Sequence, residues 1–311
     1  MDSDGAWSTL WTRHPMESRP RRIALVANPI SGRGRGVAAL RELEAELRAR
    51  GALVEATATT KAGDARAIAA SIAADAIVAI GGDGTLSEVV DGAAGRAVDI
   101  AQFPLGTANV LARDLALPRD AGRTADMVLA GRTVQLDTAL VACSGLPAPR
   151  RGFLVLGAGF DGHAVHELAR LRRGAIGKLA WARAIAGAFG SWRARTMRAT
   201  VHGPSGASTH DCESLLVANC VHYGGFDVLD RSRRLDDGLF EVYLFARASR
   251  ASLVRIGLAG AFARLPAGVA TLLRASRVTI ESDEPVPVQL DGDAAGSTPA
   301  RLQVDATRTR L

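Results

Sequence analysis

From Arg22 onward, short apolar runs alternate with stretches whose apolar residues recur every three or four positions. Ile23–Ala27 is apolar throughout, the pattern of a buried strand, and ends at Asn28-Pro29 and a turn rich in glycine (Gly32, Gly34, Gly36). Val37, Leu40, Leu43 and Leu47 then fall on one helical face with Arg41, Glu42, Glu44 and Arg48 opposite, and Gly51 ends the helix. Leu53–Thr57 predicts a second strand, Asp64–Ala73 a helix and Ala76–Ile80 a third strand. Leu86–Gly92 predicts a helix, and Val98–Phe103 a fourth strand with a further helix after it. Repeated βα units predict a doubly wound parallel sheet, whose ligands bind beyond the carboxyl ends of the strands.

After about Leu136 the rhythm changes. Strand-like runs dominate: Gly152–Leu156, Arg198–His202, Leu215–Asn219, Leu239–Phe245, Arg277–Ser282 and Val286–Leu290. Turn chemistry at Gly203-Pro204-Ser205-Gly206, Asp237-Gly238 and Asp291-Gly292 separates them, which predicts antiparallel β-structure. Helical stretches are expected around His163–Arg193 and Ser249–Leu273. The expected organisation is a loose tail over 1–20, an α/β domain over 21–137 and a β-rich domain over 138–311. The extreme C-terminus is free to pack back on the first domain, and the active site is expected in the cleft between the two.

The chain has 311 residues, 48% apolar and 23% charged, enough for sizeable cores and against wholesale disorder. Aromatics at 5% argue against base stacking, so nucleic acid is not an expected partner. A formal charge of +6, carried almost wholly by arginine, favours anionic partners, although a coding bias toward arginine and alanine accounts for it equally well. The longest apolar candidate for a membrane span, Ile256–Leu273, is broken by Arg264 and Pro266. Cys143, Cys212 and Cys220 form no CxxC pair, which points to a reducing cytoplasm and away from a disulfide framework.

The sharpest local signal is Ala79–Glu88, AIGGDGTLSE, between strand and helix. Two glycines, an aspartate and a glycine clear Cβ atoms from a turn whose N–H groups, with the helix N-terminus behind them, can close on a polyphosphate. Thr85 can cap the helix or bind a phosphate oxygen, and Asp83 can hold a Mg²⁺-bound water or a ribose hydroxyl. A tight βα turn accounts for the glycines alone, but less readily for the whole pentapeptide. Pro104–Arg113, PLGTANVLAR, repeats the logic on the next strand, with Asn109 read as the helix cap. The spacing GxGxG at Gly32–Gly36 departs from the dinucleotide fingerprint, and Gly177-Lys178 is followed by Leu179, so neither a dehydrogenase nor a P-loop NTPase fits.

GGDGT after a strand, PLGTAN and the upstream Asn28-Pro29-Ile30-Ser31-Gly32 together resemble the diacylglycerol kinase catalytic-domain family, which includes bacterial lipid kinases, sphingosine kinases and ceramide kinases. LGAGFDG (Leu156–Gly162), YGGF (Tyr223–Phe226), RRLDDGLFEV (Arg233–Val242) and VQLDGD (Val288–Asp293) extend the likeness over the second half. The resemblance implies a fold like that of phosphofructokinase and NAD kinase, carrying a C-terminal antiparallel β-sandwich. It implies ATP contacts from Asn28, Thr59, Gly81, Gly82, Asp83, Gly84, Thr85 and Thr107, and a general base at Asp291. It also implies a structural Mg²⁺ held by the Asp237 side chain and the main-chain carbonyls of Arg234 and Leu239, with a second Mg²⁺ arriving with ATP. The partners it implies are a lipid with a free hydroxyl and the membrane surface, for a cytoplasmic, peripherally associated enzyme, with a homodimer raised by the bacterial members.

Phosphoryl transfer needs mainly positioning, charge neutralisation and a carboxylate in reach of the acceptor hydroxyl, so the residues suit the chemistry. Asp291→Asn is accordingly expected to cost turnover with little effect on folding. Asp291-Gly292 and Asp237-Gly238 also read as plain hairpin turns. Asp293 stands where the family commonly has glutamate, and Ser87 where asparagine is frequent. His163 and His166 lack an evident third metal ligand, and the arginines of Arg170–Arg198 among apolar residues suit either a plain surface helix or an anionic-lipid surface. Two rivals remain: a soluble kinase of the NAD-kinase type, which shares GGDGT, and a non-catalytic nucleotide- or lipid-binding regulator.

Overall fold

The structure is a computed structural model that describes residues 12–13, 20–171, 178–223, 226–227, 234–260, 268–306 and 308–311. The tail expected over 1–20 lies largely outside the described residues, as do residues 172–177 of the arginine-rich stretch and 224–225 of YGGF. The chain divides into two compact units. One runs to Leu136 and regains the C-terminal stretch ending at Leu311; the other is Asp137–Ala306.

The first unit is built from β1 (Arg22–Ala27), α1 (Gly36–Ala49), β2 (Leu53–Ala58), α2 (Asp64–Ser71), β3 (Ala76–Gly81), α3 (Asp83–Gly92), β4 (Asp99–Pro104), α4 (Val110–Asp114) and α5 (Ala121–Leu129). Its four strands are all parallel in the order β2-β1-β3-β4, so the winding reverses between β1 and β3. Helices on both faces explain why β1 and β3 are unbroken apolar runs: neither face meets water. Ile23, Leu25, Val78 and Ile80 pack with Leu40, Leu43 and Leu47 of α1 and Ala121, Ala125 and Val128 of α5. α2 and α3 cover the other face, so close together that a Cβ on Gly92 would lie 2.2 Å from the Arg66 carbonyl oxygen. α3 begins at Asp83, three residues before the apolar periodicity that announces it. At the opposite end of the sheet, Thr309–Arg310 pairs antiparallel with Gln135–Leu136, Arg310 meets Asp99 at 3.2 Å, and Leu311 is buried.

The second unit comprises β5 (Ala139–Ser144), β6 (Arg150–Gly152), β7 (Val155–Ala158), α6 (Phe160–Leu171), α7 (Lys178–Ser191), β8 (Met197–Gly203), β9 (Gly206–Cys212), β10 (Ser214–Ala218), β11 (Phe240–Phe245), α8 (Arg250–Gly260), β12 (Thr271–Ala275), β13 (Arg277–Glu281), β14 (Pro287–Leu290) and β15 (Asp293–Val304). The strands form one antiparallel sheet in the order β9-β8-β13-β15-β14-β7-β10-β11-β12, with β5 joining β15 to β6. The sheet folds over on itself: a Cβ on Gly203 in β8 would lie 2.4 Å from the Arg274 carbonyl oxygen in β12. Leu156, Met197, Val201, Leu215, Phe240, Val242, Val278, Ile280, Val288 and Leu302 fill the interior. Thr271–Ala275, which the sequence reads as the end of a helix, is instead a strand paired with β11, because its apolar residues meet a cross-strand partner rather than a helical face. Among the described residues, no helix is long and apolar enough to cross a membrane.

Candidate active site

Four strand ends of the first unit share one rim. The Asn28 N–H donates to the Ile80 carbonyl (3.0 Å), the Thr59 N–H to Ala27 (2.8 Å) and the Leu105 N–H to Gly81 (2.9 Å), so the turns after β1, β2, β3 and β4 are tied through the main chain. This is the end of the sheet, at the reversal of winding, where such folds bind ligands. Asn28, Thr59, Gly81–Thr85 and Thr107 all stand on it.

The two glycine-rich turns touch backbone to backbone. A Cβ on Gly106 would sit 2.5 Å from Gly82 Cα and 2.7 Å from Asn109 Oδ1, and one on Gly81 would sit 2.4 Å from Thr85 Oγ1. Glycine is therefore required for packing as well as for access. Gly84 is different: it is exposed, and a Cβ there would meet nothing within 4 Å. Asp83 Oδ1 accepts from the Val110 N–H at 2.8 Å, so the aspartate of the first turn caps the helix that follows the second. This corrects the sequence expectation for Asn109, which sits in the left-handed region (φ 47°) and donates its amide to Gly106 O at 2.8 Å without capping α4. Thr85 is buried, with its hydroxyl tucked under Gly81, while Thr107 is exposed.

Glu88, quoted in the sequence motif without a role, fixes the third part of the rim. Its carboxylate accepts from the Gly63 N–H (2.9 Å) and the Ala65 N–H (3.2 Å), clamping the N-terminus of α2 and the loop that follows Thr59. Within that loop Asp64 accepts from the Thr60 hydroxyl and the Thr60 and Lys61 N–H groups, which holds its carboxyl below the usual range. Arg33 and Arg35 in the turn after β1 are exposed, adding positive charge to this end of the sheet.

In the second unit Asp291 occupies the β14–β15 hairpin. Asp291 (φ 52°) and Gly292 (φ 88°) are both left-handed, the geometry of a primed hairpin turn, and Leu290 pairs with Asp293. The aspartate is more than a turn former, because it is buried. Its Oδ1 accepts from the N–H groups of Leu154 (2.9 Å) and Val155 (3.0 Å), its Oδ2 from that of Phe153 (3.2 Å), and its own N–H donates to Val155 O. The expectation that Asp291→Asn has little effect on folding is therefore revised: an amide cannot satisfy all three donors.

The Asp237 loop does not suit a resident divalent cation. Asp237 Oδ1 accepts from the Leu239 N–H at 3.1 Å, and Oδ2 is paired with the Arg274 guanidinium, whose Nε also lies 3.3 Å from Glu241 Oε1. Arg234 pairs with Asp236, and the Gly238 N–H donates to Asp137. With both Asp237 oxygens taken up by the Leu239 N–H and the Arg274 guanidinium, the expected set of that carboxylate and the main-chain carbonyls of Arg234 and Leu239 is a poor one for Mg²⁺, which asks for several oxygens in near-octahedral array. His163 Nε2 meets Ser191 Oγ at 2.9 Å and His166 Nε2 meets Val288 O at 3.0 Å, so both histidines tie α6 to its neighbours. No cluster of three metal-ligating side chains occurs among the described residues.

The diacylglycerol kinase catalytic domain matches residues 22–141, and the YegS C-terminal NAD kinase beta sandwich-like domain matches 154–310, half of the chain on its own. The chain belongs to the diacylglycerol kinase family. Its likeness to other members of this lipid kinase family covers about nine-tenths of the chain. A diacylglycerol kinase of Staphylococcus carnosus is 28% identical over 291 residues, covering 91% of this chain and 92% of the relative. A diacylglycerol kinase of Mycobacterium tuberculosis is 28% identical over 288 residues, covering 90% and 91%. The crystal structure of a diacylglycerol kinase from Bacillus anthracis superposes with a TM-score of 0.65 at 18% identity, covering 93% of this chain and 95% of that one, which establishes a shared fold.

Proposed function

We propose that this member of the lipid kinase family transfers the γ-phosphoryl group of Mg-ATP to the hydroxyl of a diacylglycerol-like lipid. The observation that carries this reading is the main-chain contact of the two glycine-rich turns at the carboxyl ends of the strands, with open space where a Cβ would stand on Gly84. Asn28, Thr59, Gly81–Gly84 and Thr107 hold the triphosphate there, with Thr85 and Glu88 shaping the turns from beneath. The magnesium that travels with ATP neutralises phosphate charge; it belongs to the substrate. Asp291 takes the proton of the acceptor hydroxyl as that oxygen bonds to the γ-phosphorus, and the bond from phosphorus to the β–γ bridging oxygen breaks to release ADP. Three N–H donors hold the carboxylate in one orientation, as a positioned base requires.

The acceptor approaches from a lipid surface. Leu171, Ile185 and Val254 are exposed on α6, α7 and α8 beside exposed Arg183 and Arg255, and Arg250 joins α8 to α7 through Gly190 O. Apolar residues fringed by arginine suit an anionic interface. The deciding experiment offers labelled ATP with diacylglycerol, sphingosine, ceramide, phosphatidylglycerol and NAD in turn. Transfer to a glycerolipid supports the reading. Transfer to NAD alone replaces it with the NAD-kinase-type reading, which the likeness of the second unit to an NAD kinase β-sandwich also favours.

A further inference from the structure

Behind the Asp291 turn lies a hydrogen-bonded group that the proposed reaction does not use. Gln289 is fully buried in β14. Its Nε2 donates to Asp161 Oδ2 at 2.8 Å and lies 3.1 Å from the Tyr223 hydroxyl, while its Oε1 accepts from the Gly292 N–H at 2.8 Å. The Tyr223 hydroxyl donates to Asp161, 2.9 and 3.0 Å from its two oxygens. Gly157 makes room for this arrangement: a Cβ there would fall 1.8 Å from Asp161 Oδ2.

The polarity runs one way. An amide between an acceptor and an N–H satisfies both only with nitrogen toward Asp161 and oxygen toward Gly292; turned over, it would set oxygen against carboxylate and NH₂ against N–H. Asp161 therefore fixes the orientation of Gln289, and Gln289 pins the N–H of the residue after Asp291. Burial pushes the Asp161 carboxyl above its ordinary range despite the donors from Tyr223 and Gln289, and pushes the Tyr223 phenol well up, so neither is an ordinary surface group. A core that needed only volume here would be apolar, since a buried polar group costs stability unless every partner is in place.

The geometry points to Asp161 and Gln289 as positioning residues that hold the Asp291–Gly292 turn in its left-handed shape and so aim the Asp291 carboxylate. This inference rests on the proposed role of Asp291 as base, and its test has one readout independent of that role.

Gln289→Met keeps the bulk of the side chain but cannot accept from Gly292, whereas the exchange Asp161→Asn with Gln289→Glu reverses the donor and acceptor while keeping the acceptor for Gly292. Hydrogen exchange at the Gly292 amide and steady-state lipid phosphorylation are measured on all three proteins. Gln289→Met is expected to speed Gly292 exchange and lower kcat by at least ~10-fold, with the KM for ATP within ~2-fold of wild type. The exchanged pair is expected to stay within ~3-fold of wild type in kcat and to keep the amide protected. A merely volumetric role gives the opposite ranking, with the methionine tolerated and the exchanged pair damaged, and that result overturns the inference. Should Asp291→Asn remain active, the base assignment falls, while faster Gly292 exchange in Gln289→Met still upholds the relay.

Discussion

Asp291→Asn separates two roles that meet in one side chain. In the wild type the carboxylate takes three main-chain N–H donors. Asparagine can turn its carbonyl oxygen to Leu154 and Val155, but its NH₂ then faces the Phe153 N–H and leaves that donor unmet. Loss of one buried bond and of charge assistance on the others costs about 2–3 kcal/mol. For a unit of this size that lowers Tm by roughly 4–12 °C. Turnover should fall by a further ~10²–10⁴-fold in protein that is still folded, because the amide cannot take the acceptor's proton. Calorimetric melting followed by kinetics well below the lower Tm reads the two effects separately, and the KM for ATP should hold steady. Folded Asp291→Asn that phosphorylates lipid within ~10-fold of the wild-type rate would refute the base role. A Tm within ~1 °C of wild type would refute the three-donor clamp.

Gly106→Ala places a Cβ 2.5 Å from Gly82 Cα, so the turns must part by roughly 1 Å at a cost of about 1–3 kcal/mol. ATP affinity by titration calorimetry should drop at least ~10-fold, and an unchanged affinity would remove the paired-turn cradle. Glu88→Ala strips the acceptor from Gly63 and Ala65 and should cost about 1 kcal/mol while speeding amide exchange over 60–66; unchanged exchange there would deny the clamp. Arg274→Met removes the cation facing Asp237, a half-exposed pair worth about 0.5 kcal/mol after screening, and only this variant should gain Tm from added Mg²⁺ without nucleotide. A wild-type Tm that climbs with Mg²⁺ alone would restore the metal to that loop. The Asp161 carboxyl is raised above 3.8 by burial, so native protein keeps its proton to higher pH than the unfolded chain. That contribution to stability is full at acid pH and is lost as pH rises through the native value, and Asp161→Asn should flatten this limb of the stability curve; parallel curves would contradict the assignment.

The first unit is legible because its strands are covered on both faces: AIVAIG in β3 can only be an interior strand, and the glycines beyond it mark where the chain turns. The second unit hides more. GASTHDC in β9 is almost wholly exposed and carries no apolar alternation, and β15 passes through register shifts against β14 and β5, so neither announces itself. TLLRA in β12 is apolar without a period that separates strand from helix. The same division holds at the candidate site. Asp291 stands out as a residue, yet its three donors come from 136–138 positions earlier in the chain, and Gln289 meets Asp161 across 128. Contacts of that span depend on how strands pair, which no local pattern encodes. Asp161, Tyr223 and Gln289 do lie inside the motifs LGAGFDG, YGGF and VQLDGD, where the letters are visible but the hydrogen bonds joining them are not.

The return of the last residues to the first unit bears on how the halves can be produced separately. A fragment ended at residue 137 would lose the ladder between Gln135–Leu136 and Thr309–Arg310, the Arg310 partner of Asp99 and the buried Leu311. The first unit made by itself therefore calls for the final tetrapeptide, residues 308–311, to be spliced after residue 136 through a short linker; a single stop codon would leave Gln135–Leu136 without its partner strand.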